Sequence, residues 1–248
     1  MPYAVVSALS HPGLVRDRNE DSLVAGPWTL CATVTENPQT LVFPLGTPLV
    51  VAVADGLGGH PGGHVASALV ARRIAAAGPG LDGEDAVRDA VDECNRALHA
   101  AGGGAGGEYA TMGTTVAGVV LRPGSLLVFN VGDSRVYAAG RDGLRLLSVD
   151  DRPPPDSAWG RTHLVTQCLG GGAAYRPVRA HVTARPLSAG DRCLMCTDGL
   201  TDPLPDDVID GVMREHDDGR AAFELWKAAV TAGGPDNITL AVVRVADE

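Results

Sequence analysis

The 248-residue sequence has no apolar run long enough to cross a bilayer. Its first residues also lack the basic segment followed by an apolar one that marks a secretory signal. Lysine is almost absent, and acidic residues outnumber basic ones, so the formal net charge is −10. A charge of this sign argues against nucleic acid and anionic membranes as partners. These absences predict a soluble protein of the cytoplasm, and we expect it to be a monomer.

Cysteine is scarce, and the five cysteines cannot all pair with one another within the chain. An odd number without a secretory signal favours reduced thiols. Cys193 and Cys196 have the C-x-x-C spacing of some zinc and redox sites. They fall in a predicted strand, however, where residues three apart point to opposite faces. We therefore expect both thiols to be buried core groups.

The most informative stretch, residues 49–63, is a short apolar run that ends in Asp55 and continues into glycines. An aspartate at the end of a buried strand costs desolvation free energy unless something pairs with it. No lysine or arginine lies near Asp55 in the sequence. A metal ion would supply the missing charge, and the glycines would let backbone carbonyls approach it closely. The simpler alternative is a strand that ends in an Asx-Gly turn.

Other aspartates repeat this arrangement. Asp133, Asp198 and Asp236 each adjoin a further apolar run, and the acidic segment 19–21 follows Arg16. Strands aligned in a sheet would bring these carboxylates to one edge. Several oxygens that converge on one point suit hard divalent cations such as Mg²⁺ or Mn²⁺.

Six short motifs therefore stand out, in a fixed order along nearly the whole chain. They are Arg16-x-x-Asn19-Glu20-Asp21, Asp55-Gly56-x-Gly58-Gly59-His60, Gly113-Thr114-Thr115, Gly132-Asp133-Ser134-Arg135, Asp198-Gly199-Leu200-Thr201-Asp202 and Asp236-Asn237-Ile238-Thr239. Each motif alone is weak. Together they resemble the bacterial branch of the metal-dependent protein serine/threonine phosphatases, the protein phosphatase 2C family.

The resemblance implies that residues 1–248 form a single catalytic domain that hydrolyses phosphoserine and phosphothreonine in proteins. Two tightly bound Mn²⁺ or Mg²⁺ ions would activate a shared water for attack on phosphorus, without a covalent phosphoenzyme. By the same resemblance, Asp55 would bridge the ions and the Gly56 carbonyl would bind one of them. Asp198 and Asp236 would complete the protein ligands of the second ion.

Further roles follow from the resemblance. Arg16 would bind the substrate phosphate, since its planar fork matches phosphate oxygens. Glu20 and Asp21 would hold metal-bound waters as outer ligands. Asp133 would share a third, weaker ion with Asp198. The alternative for Asp133 is a turn aspartate that pairs with Arg135. For Asp198 and Asp236, the alternative is a role as turn or helix-cap residues.

The histidines depart from the family pattern. Leu57 stands where eukaryotic members often have the histidine proposed as general acid. His60 is either a structural turn residue or part of the active-site rim. Bacterial relatives often have Glu at the place of His64 and Asp-His at the place of Asp150-Asp151. The source of the leaving-group proton therefore stays open, and a water on the metals could supply it.

The hydrophobic patterns predict an α+β protein. Helices are expected over about 65–77, 83–101, 205–216 and 219–231. Outside residues 114–148, strands are expected over about 3–10, 22–25, 28–34, 49–54, 182–186, 191–197 and 238–245. Residues 114–148 are expected to form four consecutive antiparallel strands. In the first helix, Val65, Ala68, Leu69 and Ala76 form the expected buried stripe. Helix pairs that alternate with blocks of strands favour two packed sheets with helices outside, and the family fold is such a four-layer αββα sandwich of two antiparallel sheets.

Residues 150–180, rich in proline and glycine, form a long irregular segment at the place where the family has a mobile flap. The expected partners are phosphorylated proteins, as substrates shared with a serine/threonine kinase. Two alternative functions stay open. One is a regulatory phosphatase dedicated to one partner, such as an anti-sigma antagonist. The other is a member that binds phosphoproteins without hydrolysing them, although the presence of all the expected ligands argues against it.

Overall fold

The computed structural model describes residues 2–57, 62–103, 107–140, 142–154 and 164–247. Within these ranges the chain forms fourteen strands and five α-helices. The strands are β1 (Tyr3–His11), β2 (Ser22–Ala25), β3 (Trp28–Cys31), β4 (Gln39–Pro44), β5 (Leu49–Ala54), β6 (Gly113–Thr114), β7 (Val116–Arg122), β8 (Ser125–Val131), β9 (Arg135–Gly140), β10 (Gly143–Leu146), β11 (Leu169–Gly170), β12 (His181–Pro186), β13 (Arg192–Cys196) and β14 (Ile238–Ala246). The helices are α1 (Gly63–Ala77), α2 (Glu84–Ala101), α3 (Asp198–Thr201), α4 (Asp206–Glu215) and α5 (Asp218–Thr231).

Twelve of the strands build two six-stranded sheets, with the orders β10-β9-β13-β14-β1-β4 and β12-β8-β7-β5-β2-β3. Neighbouring strands in both sheets are antiparallel. The four consecutive strands predicted over residues 114–148 are thus divided, because β7 and β8 lie in one sheet and β9 and β10 in the other. The chain crosses between the sheets at residues 132–134. Alternation in a sequence identifies a strand, but it does not say which sheet the strand joins.

Three hydrophobic clusters separate four layers. One cluster lies between the two sheets, where Val51 and Val119 of one sheet meet Val6 and Met195 of the other. The second packs α1 and α2 against the sheet that contains β5. The third packs α3, α4 and α5 against the sheet that contains β14. The predicted αββα sandwich is confirmed.

Local differences from the prediction have physical reasons. The edge strand β4 was not predicted, and most of its residues are exposed. The strand that begins at Trp28 ends at Cys31 rather than at residue 34. The predicted buried stripe of α1 is wrong, since the helix buries Ala66, Val70, Ala71 and Ile74 instead. Alanine and valine lie on several sides of α1, so composition alone does not select the side that faces the sheet.

The cysteines follow the prediction. All five are free thiols. Cys193 packs in the cluster between the two sheets, and Cys196 packs in the cluster between its sheet and α3, α4 and α5. The two thiols therefore lie on opposite faces of β13. Burial raises the pKa of the Cys193 thiol to about 12, which leaves it neutral and unreactive. Among the described residues, no helix is long and apolar enough to span a bilayer.

Candidate metal centre

The predicted site residues meet at one end of the sandwich. Asp55 follows the fully buried strand β5 of one sheet. Asp198 follows β13 of the other sheet and is the first residue of α3, and Asp236 lies two residues before β14. These aspartates line a cleft of about 690 Å³, together with Arg16 and Asp133. The fold therefore brings together carboxylates that are far apart in the sequence.

The carboxylates of this cluster raise one another's pKa. Burial, followed by the charges of Asp21, Asp198 and Asp133, raises the pKa of Asp55 well above its ordinary value. Burial and the neighbouring carboxylates also raise the pKa of Asp198 to about 7. The pKa of Asp21 is raised to about 7, again mainly by burial, although a hydrogen bond from Thr197 opposes the shift. Several negative charges are thus held in a low-dielectric place without enough positive charge around them.

Two buried oxygens of the cluster have no hydrogen-bond partner among the residues that the structure describes. They are Oδ1 of Asp21 and Oδ1 of Asp198. An unsatisfied buried carboxylate oxygen is costly, and such groups are rare unless they have a function. Carboxylate oxygens of this kind fit a hard divalent cation, which would supply the charge that the protein lacks at this place.

The described side chains do not already surround a cation. Within the described ranges, no three His, Cys, Asp or Glu side chains are arranged to hold one metal ion. Two arginines contact carboxylates of the cluster. Arg16 Nη2 donates to Asp236 Oδ2 at 2.6 Å, and Arg152 Nε donates to Asp133 Oδ2 at 2.8 Å, so each draws one carboxylate toward a guanidinium. Mg²⁺ and Mn²⁺ sites commonly take backbone carbonyls and waters among their ligands, so few side chains are needed. The donor set fits such an ion.

Threonines hold the Asp55 backbone. Thr114 Oγ1 donates to the Asp55 carbonyl at 2.7 Å, and Thr115 N donates to the same oxygen at 2.9 Å. The Asp55 amide in turn donates to Thr115 Oγ1 at 3.2 Å. The Gly113-Thr114-Thr115 motif, whose role the sequence left open, therefore fixes the position of Asp55.

Asn237 holds the loop that carries Arg16 and Glu20. Its Oδ1 accepts a hydrogen bond from Glu20 N at 2.8 Å. Its Nδ2 donates to the carbonyls of Pro12 and Arg18 at 3.0 and 2.9 Å. Sequence reasoning included Asn237 in a motif but gave it no role. The residue type was a signal, since a side chain with both donors and an acceptor can tie a loop at several points.

Two glycines allow backbone segments to meet at the cleft. A Cβ on Gly56 would lie 2.4 Å from the Gly63 carbonyl oxygen and 2.7 Å from that of Glu20. A Cβ on Gly199 would lie 1.9 Å from the Asn237 carbonyl oxygen. A larger residue at position 56 would push the Asp55 segment away from Glu20 and Gly63, and one at position 199 would push the Asp198 segment away from Asn237.

The outer acidic residues lie beside the cluster. Asp21 is fully buried, and its Oδ2 accepts a hydrogen bond from Thr197 Oγ1 at 2.9 Å. Glu20 lines the cleft, with its Oε1 3.7 Å from His64 Nδ1. His60, together with Gly58 and Gly59 of the same motif, lies outside the described residues.

Asp133 does not pair with Arg135. Arg135 Nη2 donates to Asp150 Oδ2 at 2.7 Å, so the alternative that kept Asp133 as a turn partner of Arg135 is wrong. Asp133 is buried at 3% exposure and bonds Arg152, a residue that sequence reasoning missed. Nothing in the local sequence of Arg152 marks this contact, because the two residues are 19 positions apart.

Comparison with known proteins places this site in context. The sequence profile of the family described as Protein phosphatase 2C matches residues 44–218. The serine/threonine protein phosphatase PstP of Mycobacterium tuberculosis is 33% identical over 260 aligned positions, which cover 97% of this chain. The chain spans only 45% of the length of PstP. The serine/threonine phosphatase Stp of Listeria monocytogenes is 27% identical, with 93% of this chain and 92% of that protein aligned.

A solved structure is similar over the whole chain. It is the catalytic domain of PstP in complex with two manganese ions, with a TM-score of 0.78 and 30% identity. The alignment covers 100% of both chains.

Proposed function

Because this chain belongs to the protein phosphatase 2C family, we propose that it hydrolyses phosphoserine and phosphothreonine in proteins with the help of two Mn²⁺ or Mg²⁺ ions. The observation that carries the proposal is the group of buried, mutually repelling carboxylates, two of whose oxygens lack a partner in the described chain. Such a group is a poor fold stabiliser and a good cation site. The manganese ions in the similar PstP structure support it.

Each acidic residue has a proposed role. Asp55 would bridge the two ions, and the Gly56 carbonyl would bind one of them. Asp198 and Asp236 would complete the ligands of the second ion. Glu20 and Asp21, which flank the cluster, would orient its waters. When bound, the ions would supply an activated water and positive charge at the phosphoryl oxygens.

Arg16 would hold the substrate phosphate. Its side chain lines the cleft and is 46% exposed, so a substrate can reach the guanidinium. Its guanidinium donates a hydrogen bond to Asp236, which we propose as a metal ligand. If Asp236 bound the metal ion instead, the guanidinium would be free to bind phosphate oxygens. The planar fork would then orient the phosphoryl group and stabilise its charge.

The leaving oxygen needs a proton. Leu57 lines the cleft at the place where eukaryotic members of the family often have a histidine. We propose that water in the open cleft supplies this proton.

The proposed partners are cytoplasmic proteins that a serine/threonine kinase phosphorylates. All proposed ligands come from one chain, which supports a monomer as the active form. A role dedicated to one regulatory partner would appear as a single hyperphosphorylated protein in the phosphoproteome of a deletion strain, whereas a general role would raise many phosphosites.

The test is hydrolysis of p-nitrophenyl phosphate and of a phosphothreonine peptide by metal-stripped protein. We expect no turnover in chelator and recovery when Mn²⁺ or Mg²⁺ is added. Full activity after exhaustive chelation would rule out the metal-dependent mechanism. Peptide binding without hydrolysis at saturating Mn²⁺ would instead support the non-catalytic alternative.

A further inference from the structure

Arg152 lies between three carboxylates at one side of the cleft. Its Nε donates to Asp133 Oδ2 at 2.8 Å, and its Nη2 donates to Asp202 Oδ1 at 3.0 Å. The same Nη2 is 3.6 Å from Asp198 Oδ2. The guanidinium is therefore the positive charge that faces both Asp133 and Asp198.

The backbone holds Arg152 in this place. Asp151 N donates to the Gly132 carbonyl at 3.0 Å, and Gly132 N donates to Asp151 Oδ2 at 2.8 Å. Asp151 Oδ1 also lies 2.9 Å from His181 Nε2. Because Asp151 precedes Arg152 and Gly132 precedes Asp133, this double contact places the arginine opposite its aspartate.

Arg152 is less accessible than the other arginine at the carboxylates. Its side chain is 26% exposed, whereas Arg16 is 46% exposed. Asp133, its main partner, is 3% exposed. One guanidinium cannot balance both Asp133 and Asp198 by itself, so a divalent cation retains an attraction to these two carboxylates.

Building on the two-ion centre proposed above, we propose that Arg152 is a tethered cation that takes the position of the third, weak ion between Asp133 and Asp198. A third ion then binds only when the guanidinium leaves. Arg152 would be a positioning residue, because its Nη2 lies 3.6 Å from Oδ2 of Asp198, a carboxylate proposed to hold the second ion. The protein thus places a positive charge at this side of the cleft without depending on metal concentration.

The experiment counts bound Mn²⁺ by calorimetry and by the electron paramagnetic resonance of free Mn²⁺. We compare the wild-type chain with Arg152→Gln, Arg152→Lys and the double variant Arg152→Gln/Asp133→Ala. We expect two tight ions in all four. Arg152→Gln should bind the third ion at least about tenfold more tightly than wild type, because its competitor is gone. Arg152→Lys should keep the third ion weak, and the double variant should lose it.

The matched control is Arg214→Gln. Arg214 bonds Asp210 on the surface of α4 at 2.9 Å, so the variant removes the same charge without touching the cleft. It should bind ions as wild type does. If Arg214→Gln gained as much affinity for the third ion as Arg152→Gln, the gain would come from the change in net charge, and the proposal would be wrong.

The outcomes separate this proposal from the proposed function. If wild type binds no ion tightly, the two-ion centre is wrong. If wild type binds two ions but Arg152→Gln leaves the third unchanged, the tethered cation is wrong and the phosphatase proposal stands. A raised KM for phosphopeptide with unchanged ion binding would make Arg152 a substrate contact and also overturn it. A thermal melt of Arg152→Lys and Arg152→Gln confirms that both variants are folded.

Discussion

Two regions of this protein bury carboxylates and neutralise them differently. At the start of α5, Asp218 is 5% exposed, and each of its oxygens has an arginine partner. Arg192 Nε donates to Oδ1 at 2.8 Å, and Arg244 Nε donates to Oδ2 at 2.6 Å. In the cleft, Asp198 Oδ1 has no partner among the described groups, and burial raises the pKa of Asp55 well above its ordinary value.

The difference shows that burial alone does not identify a functional carboxylate. Asp218 has its counter-charges within the chain, so it ties β13, β14 and α5 together. The cleft aspartates repel one another, and the described residues place too little positive charge near them, so they cost stability unless an external cation binds. Strongly perturbed titrating groups in a cleft are candidates for function for this reason.

The largest expected effect comes from Asp55→Asn. A neutral amide cannot balance two dications, so we expect turnover with Mn²⁺ to fall by about 1000-fold or more, which corresponds to about 4 kcal/mol of transition-state stabilisation. The metal-free variant should be at least as stable as wild type, because one repelling charge is gone. Steady-state kinetics and a thermal melt in chelator measure both effects.

Asp210→Asn, on the surface of α4, is the matched control and should change neither quantity. An Asp55→Asn variant that hydrolyses phosphopeptide at the wild-type rate would remove Asp55 from the proposed centre.

Asp218→Asn should act in the opposite way. It leaves two arginines near a neutral amide, and breaking a buried ion pair on one side is strongly destabilising. We expect the free energy of unfolding to drop by about 3 kcal/mol. This is the lower end of the range for broken buried ion pairs, because Arg244 is partly exposed. The turnover number of the folded protein should stay unchanged. Urea titration measures the free energy of unfolding. A large loss of turnover at constant folded fraction would show that Asp218, like the cleft aspartates, is needed for activity.

Arg16→Ala should weaken substrate binding and spare the metals. Loss of a charge-assisted hydrogen bond costs about 1.5–3 kcal/mol, or roughly ten- to hundred-fold in kcat/KM. Mn²⁺ affinity should not fall, because Asp236 then has no arginine that competes for it. Kinetics with a phosphopeptide and Mn²⁺ calorimetry test the two statements. Unchanged kcat/KM would remove Arg16 from the phosphate site.

A further expected effect is a pH dependence of the metal-free fold. The pKa values of Asp21 and Asp198 are raised to about 7, so the folded state holds their protons more tightly than the unfolded chain does. This contribution to stability is fully present below the ordinary carboxyl pKa of about 4 and is lost as pH rises through about 7. The melting temperature of metal-free protein should therefore fall between pH 5 and pH 8.

Mn²⁺ should raise the melting temperature more at pH 8 than at pH 5, because the ion competes with protons for the same oxygens. An equal rise at both values would show that the cleft carboxylates are already ionised at pH 5.

Much of the fold could be predicted because strand and helix periods are local properties. The runs that became β5, β8, β13 and β14 were visible as apolar segments beside aspartates. The edge strand β4 and the buried side of α1 could not be predicted. β4 has only three consecutive apolar residues, and α1 has apolar residues on several sides. Which sheet each strand joins was also hidden, since pairing is made by distant residues.

The sequence by itself determined the fold class, and it determined which aspartates end apolar strands, because both are written in the spacing of neighbouring residues. Only the tertiary structure decided what neutralises each carboxylate. Asp133 faces Arg152 rather than Arg135, and Asp236 faces Arg16 across 220 positions. Coulomb energy depends on distance in space and on the surrounding dielectric, and neither can be read from position along the chain.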